Sequence, residues 1–271
     1  MKKNIHCCRA LLIAYVFILP CLLLQSACSE NSNKRSQFNS IGEFSIENLP
    51  DHCKEIRDGA GRIMVLVPRG HKIPDGYEKK QVIETPVRRV VVSSGFNVSL
   101  LKALGVLDTL VGVTHEKKYW TIDEVIQGMN TGRISCVGKS GSIDFEKLKA
   151  IKPDLMLTWD ACAIAKITTL NIPGIITTTG EAMNLDTRVR FVKFLSVFFN
   201  REKRADEYIK KIKNTISKIS KLSMDVKKRP KIIWGDIFEK RVLVEPGNSW
   251  AAQLINLSGG NYLFNDIKGA S

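Results

Sequence analysis

Side chains of the kinds that perform reactions are present throughout this 271-residue chain, but no set of them has the types and spacing that a reaction needs. Beyond residue 27 the histidines are only His52, His71 and His115, too scattered for a His-Glu-x-x-His zinc pair or for capture of a bare metal ion. No Gly-x-Ser-x-Gly elbow occurs to present a serine nucleophile. The stretch GKSGS at 138–142 has the look of a phosphate loop, but the upstream glycine such a loop needs is Arg133. An exported α/β enzyme would have to rely on Asp160 or Ser94, and no substrate follows from either. The aromatic residues are more telling. Phe96, Tyr119, Trp120, Trp159, Trp234 and Trp250 fall in expected turns or strand ends, where rings either pack into a core or stack on a large planar ligand.

These residues are positioned by a repeating pattern. Residues 88–114 read as a strand, a Ser/Gly turn, a short helix closed by Gly105 and a second strand. Residues 132–159 repeat it, with Asp144 as N-cap, Lys152-Pro153 as helix stop and 155–159 as a continuous buried strand. A further helix and strand follow in ITTLNIPGIITTTG. Alternation of this kind predicts an α/β fold with a parallel, doubly wound sheet, its ligand crevice at the carboxyl ends of the strands. That rule selects Ser93, Ser94, Phe96 and Asn97 after one strand, Tyr119 and Trp120, Lys139 and Ser140, and Trp159 with Asp160 as ligand-binding candidates. Arg133 and Lys139 would add positive charge beside them.

Ahead of this body, residues 41–86 read as a small hairpin around the RDGAG turn at 57–61. After it, 185–228 is helical with a seam at Asn200. From 201 to 226 the apolar positions Ala205, Ile209, Ile212, Ile216, Ile219 and Leu222 recur every three or four residues without a turn signal. Such a helix could be about 39 Å long at ~1.5 Å per residue, enough to cross the protein. Beyond it, RPKIIWGDIF reads as one strand, RVLVEPGNSW as strand and turn, and AAQLINLSGGNYLF as a helix closed by glycines.

This order of parts, with Gly138, DFEKLKAIKPDLMLTW and PGNSWAAQLINLSGGNYLF, resembles the substrate-binding proteins of bacterial ABC importers that serve iron-siderophore, haem and cobalamin uptake. The resemblance spans roughly Arg88 to Phe264. It implies two Rossmann-like lobes bridged by one long helix, with cargo in the gap between lobes 87–184 and 229–271, and Trp234 and Trp250 contributed by the second. It further implies that Glu146 meets arginines on the membrane permease and that the ABC permease and its ATPase are partners. A continuous helix between lobes resists bending more than paired flexible strands would, so hinge motion is expected to be small. No enzyme activity and no resident cofactor are expected of such a protein, and it would act as a monomer. Where cobalamin binders of the family place an aromatic ahead of the docking helix, this chain has Ser140. The expected cargo is therefore a ferric siderophore first, a corrinoid second and haem third.

The leader supports export. Lys2, Lys3 and Arg9 precede an apolar run from Ala10 to Leu24, too short for the ~20 residues of a spanning helix and suited to a secretory signal over 1–27. Ser26-Ala27-Cys28 resembles a lipobox, with Gln25 where leucine is usual, and 28–40 is polar, as a tether to a membrane anchor would be. Two readings follow: a lipoprotein acylated at Cys28 and held at the periplasmic or cell-surface side, or a soluble exported protein with an unused thiol; a surface lipoprotein without a transport function is a further alternative. Of the remaining Cys53, Cys136 and Cys162, the last two each follow an expected strand and either meet or sit as ordinary buried thiols. The net charge of +14 would suit nucleic acid, but export argues against it. Much of the excess lies in 201–231, with 12 basic and 4 acidic residues opposite an apolar stripe, the pattern of a solvated helix face or of attraction to anionic lipid headgroups. The lobe at 229–271 is much smaller than that at 87–184. It is expected to be incomplete, as a fragment or a decayed copy would be, with an unpaired sheet edge and exposed apolar faces.

Overall fold

The structure, a computed structural model, describes residues 39–139, 141–180 and 182–269. The leader, the tether, Cys28 and Ser140 lie outside the described residues. Among those described, no helix is long and apolar enough to cross a membrane.

The valine run at 90–92, β-branched and buried on both faces, has the composition of a central parallel strand. It forms β6 (Val90–Val92) of a five-stranded parallel sheet. The others are β7 (Leu110–Val113), β8 (Ser135–Cys136), β11 (Leu155–Thr158) and β12 (Gly174–Ile176), in the spatial order β12-β11-β6-β7-β8. The helices Gly95–Leu104, Phe145–Ala150 and Ala161–Thr169 are those the alternation predicts. Gly105 closes the first at φ 70°, a left-handed conformation that glycine adopts without strain. The helix Asp123–Asn130 is an addition to the expected set, although Ile122, Val125, Ile126 and Met129 recur at helical spacing and pack on the main core. Between β8 and the helix Phe145–Ala150, β9 (Gly138–Lys139) and β10 (Ser142–Ile143) form a small hairpin.

Residues 41–86 depart from expectation. The small hairpin is the centre of a five-stranded sheet, β1 (Asn39–Ile41), β2 (Phe44–Asn48), β3 (Lys54–Arg57), β4 (Ile63–Pro68) and β5 (Val82–Thr85), antiparallel except for β4 beside β5. Phe44 of β2 lies 4.8 Å from both Phe191 and Phe194 in the helix Leu185–Ser196, so this sheet shares the main core and is no appendage. Its RDGAG turn grips the edge strand β12. Gly59 N donates to Ile176 O, Ile176 N to Asp58 Oδ2, and Arg62 Nη2 to Gly174 O. An edge that would otherwise be open is thereby covered.

The helical segment has the expected seam. Asn200, at φ 55°, separates Leu185–Ser196 from the helix Glu202–Ser223, and asparagine tolerates that backbone better than most residues. The second helix is unbroken for 22 residues, about 33 Å at 1.5 Å per residue. Ala205 is buried near one end and Ser223 near the other, where its hydroxyl donates to Leu257 O at 2.5 Å. Ile209, Ile212, Ile216 and Ile219 between them are half-buried, as suits a rod held at its two ends.

The C-terminal part differs in detail. RPKIIWGDIF is not one strand: β13 (Lys231–Ile232) pairs in parallel with β16 (Asn261–Tyr262), whereas β14 (Gly235–Phe238) turns back on β15 (Arg241–Val244). The break at Ile233-Trp234 lets the two segments take different partners. The helix Trp250–Leu257 packs on both Leu185–Ser196 and Glu202–Ser223. Ile237, Val242 and Leu243 are exposed on the β14–β15 hairpin.

Candidate functional site

The parallel sheet reverses its strand order between β6 and β11, and in open α/β sheets that switch point opens a crevice at the carboxyl ends. Ser94, Phe96, Asn97 and Trp159 leave those two strands and line a cavity of about 200 Å³. Thr177, Thr178 and Thr179, which follow β12, complete its polar wall, and Met183 and Arg188 close it from the helical side. Asn97 is buried and held in place, its Nδ2 donating to Thr177 Oγ1 at 3.0 Å.

The Arg188 guanidinium is the central charge. Its carbon lies 3.9 Å from the centre of the Phe96 ring and 4.2 Å from that of Trp250, so the cation packs against two aromatic rings at once. Trp234 meets Trp250 edge-on at 6.0 Å. Burial pulls the arginine pKa below its ordinary value, opposed by the negative charge of Glu245, and the group remains a cation at neutral pH. Trp250 is fixed by its own backbone N–H, which donates to Met183 O at 2.8 Å, and by Ser249, whose hydroxyl caps the helix Trp250–Leu257.

Other candidates stand elsewhere. Ser93 is buried beneath the cavity and its Oγ accepts from Trp159 N at 3.3 Å. Asp160 spends its carboxylate capping the helix Ala161–Thr169, with Oδ1 accepting from Cys162 N and Ala163 N. Trp120 is a core residue whose Nε1 donates to His115 O. With exposed Tyr119 and with Gly95 and Ser99 it borders a separate hollow of about 360 Å³. Lys139 is exposed and paired with Glu116 at 3.7 Å. Arg133 donates to Leu110 O at the amino end of β7, the far side of the sheet from the crevice, so its expected contribution of charge there does not hold. The threonine run after β12 was findable by the strand-end rule. Arg188 sits inside a helix and no sequence signal marks it.

The docking element is well formed. Asp144 Oδ1 accepts from Lys147 N at 3.0 Å, a bond that holds the Asp144 carboxyl below its usual range, and Glu146 stands exposed in the first turn without an ion pair among the described residues. The KPD stretch has a structural purpose. Asp154 Oδ2 accepts from Arg88 N, Arg89 N and Arg69 Nη2, and Arg89 in turn donates to Ile151 O at the end of the docking helix. Cys136 and Cys162 are both free thiols, and Cys162 is exposed rather than buried.

An α/β lobe with its crevice at the switch point, tied by one unbroken helix to a second α/β part, defines a binding protein of the two-lobed kind, and no metal-holding cluster of His, Cys, Asp and Glu occurs among the described residues. The chain belongs to the periplasmic binding protein family, whose model matches residues 90–271. It is 25% identical over 231 residues to an uncharacterised lipoprotein of Methanocaldococcus jannaschii, covering 78% of this chain and 55% of that protein. The chain thus spans little more than half the length of that relative. A possible iron-binding (periplasmic solute-binding) protein of Staphylococcus epidermidis superposes with a TM-score of 0.55 at 17% identity, covering 68% of this chain and 70% of the other. S. aureus IsdE complexed with haem gives 0.53 at 21% identity, covering 68% of each. At these identities the likeness is one of fold. The family is one of binding proteins, not of enzymes.

Proposed function

We propose that this protein is an extracytoplasmic substrate-binding lipoprotein of an ABC importer, anchored through Cys28, that captures a ferric siderophore and delivers it to a membrane permease through Glu146. The observation that carries the cargo reading is the stack of Phe96, Arg188, Trp250 and Trp234 beside a polar cavity at the sheet's switch point. Aromatic faces suit a bulky aryl or planar ligand, and the cation suits an anionic one. A ferric catecholate or hydroxycarboxylate chelate joins the two properties. Cargo release and docking are assigned to separate elements, since Glu146 lies on a helix that lines none of the cavity.

Tryptophan fluorescence tests the cargo reading, because Trp159 lines the cavity and Trp234 and Trp250 adjoin it. Titration with ferric hydroxamate, catecholate and hydroxycarboxylate chelates, haemin and cyanocobalamin is expected to give saturable quenching with one or more of the ferric chelates. Absence of quenching across the whole panel would refute it. Glu146→Arg is expected to leave that titration unchanged and to cut whole-cell uptake of the same chelate at least tenfold, because it sets like charges against each other at a docking surface. Uptake equal to the parent would remove Glu146 from the docking role.

A further inference from the structure

We infer that Arg188 reads a carboxylate of the cargo, so that the protein selects carboxylate-bearing ligands over those that present amides. This deepens the chelate reading and rests on it. Arg188 lies in the opening turn of the helix Leu185–Ser196, where the helix dipole is positive and a cation is disfavoured. It packs against the Phe96 and Trp250 rings and lines the cavity. Among the described residues the guanidinium donates no hydrogen bond and forms no ion pair. Five donors in a fixed planar fork are therefore held half-buried and unmatched among the described residues, which is costly unless an acceptor arrives.

The nearby charge does not supply that acceptor. Glu245 is close enough to influence Arg188 electrostatically but is not paired with it, and its own Oε2 is buried without a hydrogen-bond partner. Asp186, on the same turn, is taken by Arg190 at 3.0 Å and Lys213 at 3.4 Å. A ligand carboxylate would meet the fork in the bidentate geometry that arginine favours. The hydroxyl and amide groups of Ser94, Asn97 and Thr177 surround the same space. At about 200 Å³ the cavity is smaller than the ~300–1,000 Å³ of pockets that enclose a whole drug-sized ligand, so it fits one functional group of a larger molecule. Phe96 lies on the helix that follows β6 and Trp250 opens the helix Trp250–Leu257, so two separate elements hold the cation.

The carboxylate could belong to a hydroxycarboxylate chelator or to a haem propionate. Ferric citrate, haemin, cyanocobalamin and metal-free citrate, titrated against the full chain and three variants, separate these sources. Arg188→Gln is expected to weaken whichever of ferric citrate or haemin binds by about 30-fold or more, the range for truncating one partner of a buried charge pair. Arg188→Lys should fall between the two, keeping charge but losing the fork. Ser94→Asp leaves Arg188 intact and removes no capping bond, because the Ser94 side chain makes none, yet its added carboxylate should repel the ligand equally well. Metal-free citrate should quench the parent and not Arg188→Gln. Equal affinities in the parent and Arg188→Gln, or binding of cyanocobalamin alone, would overturn the inference. Citrate binding that needs Arg188 without any binding of metal chelates would uphold it and defeat the chelate reading. Silence toward all four probes would overturn the inference while leaving the chelate reading to stand or fall on the hydroxamate and catecholate titrations.

Discussion

Replacing Asp58 by alanine is expected to lower the stability of the protein by about 3–5 kcal/mol, the usual cost of breaking a buried ion pair by removing one partner. Asp58 is fully buried. Its Oδ1 accepts from Ala60 N and Arg62 N, and its Oδ2 from Ile176 N and from Nε and Nη2 of Arg62, the last at 2.6 Å. Alanine would leave the half-buried guanidinium without its counter-ion and three backbone N–H groups without acceptors. The damage would reach the cleft, because Thr177 and Thr178 follow directly on Ile176. Chemical denaturation of the variant measures the loss. A change below about 1 kcal/mol, the scale of an exposed pair, would show that the turn is not the clamp described here.

Gly138→Ala is expected to cost nearly as much and to act on the docking element. Gly138 has φ 101°, and a Cβ there would stand 2.5 Å from Ser142 O and 2.7 Å from Asp144 N. Backbone strain of about 1–3 kcal/mol would add to an overpacking cost of about 1–3 kcal/mol. The obstructing atoms are backbone, so they cannot rotate away. Relief requires opening the β9–β10 hairpin, which shifts Asp144 from its capping position and moves Glu146 with it. The variant should lose stability in thermal denaturation and lose uptake while keeping ligand affinity, because none of these residues lines the cavity. Parental melting behaviour would contradict the crowding at Gly138.

Elements legible in the sequence were those whose signals are local. The Asp144 cap is written in the side chain that forms it, and the helix Glu202–Ser223 in isoleucines recurring along one face. The valine run of β6 and the helix stop at Lys152-Pro153 are of the same kind. Even the place of the cleft was legible, since alternation of strand and helix dictates a parallel sheet and the sheet dictates where its mouth opens.

Pairings between distant segments were not legible. The sheet at 39–85 reads as a lone hairpin because β1, β2 and β5 pair through contacts that no turn signal as clear as RDGAG announces. RPKIIWGDIF looked like one strand because its apolar run says nothing about its two separate partners. Asp160 looked like a ligand contact because the strand-end rule locates residues without showing whether a helix N-terminus has already claimed their carboxylates. Arg133 and Arg188 make the sharpest contrast. Both are arginines in ordinary surroundings along the chain, but only folding sets one at the amino end of the sheet and brings the other between Phe96 and Trp250, residues 92 and 62 positions away. Local sequence determines the conformation of each segment and the face it buries. The surroundings of a charge depend on contacts across long chain separations, which only the closed tertiary structure supplies.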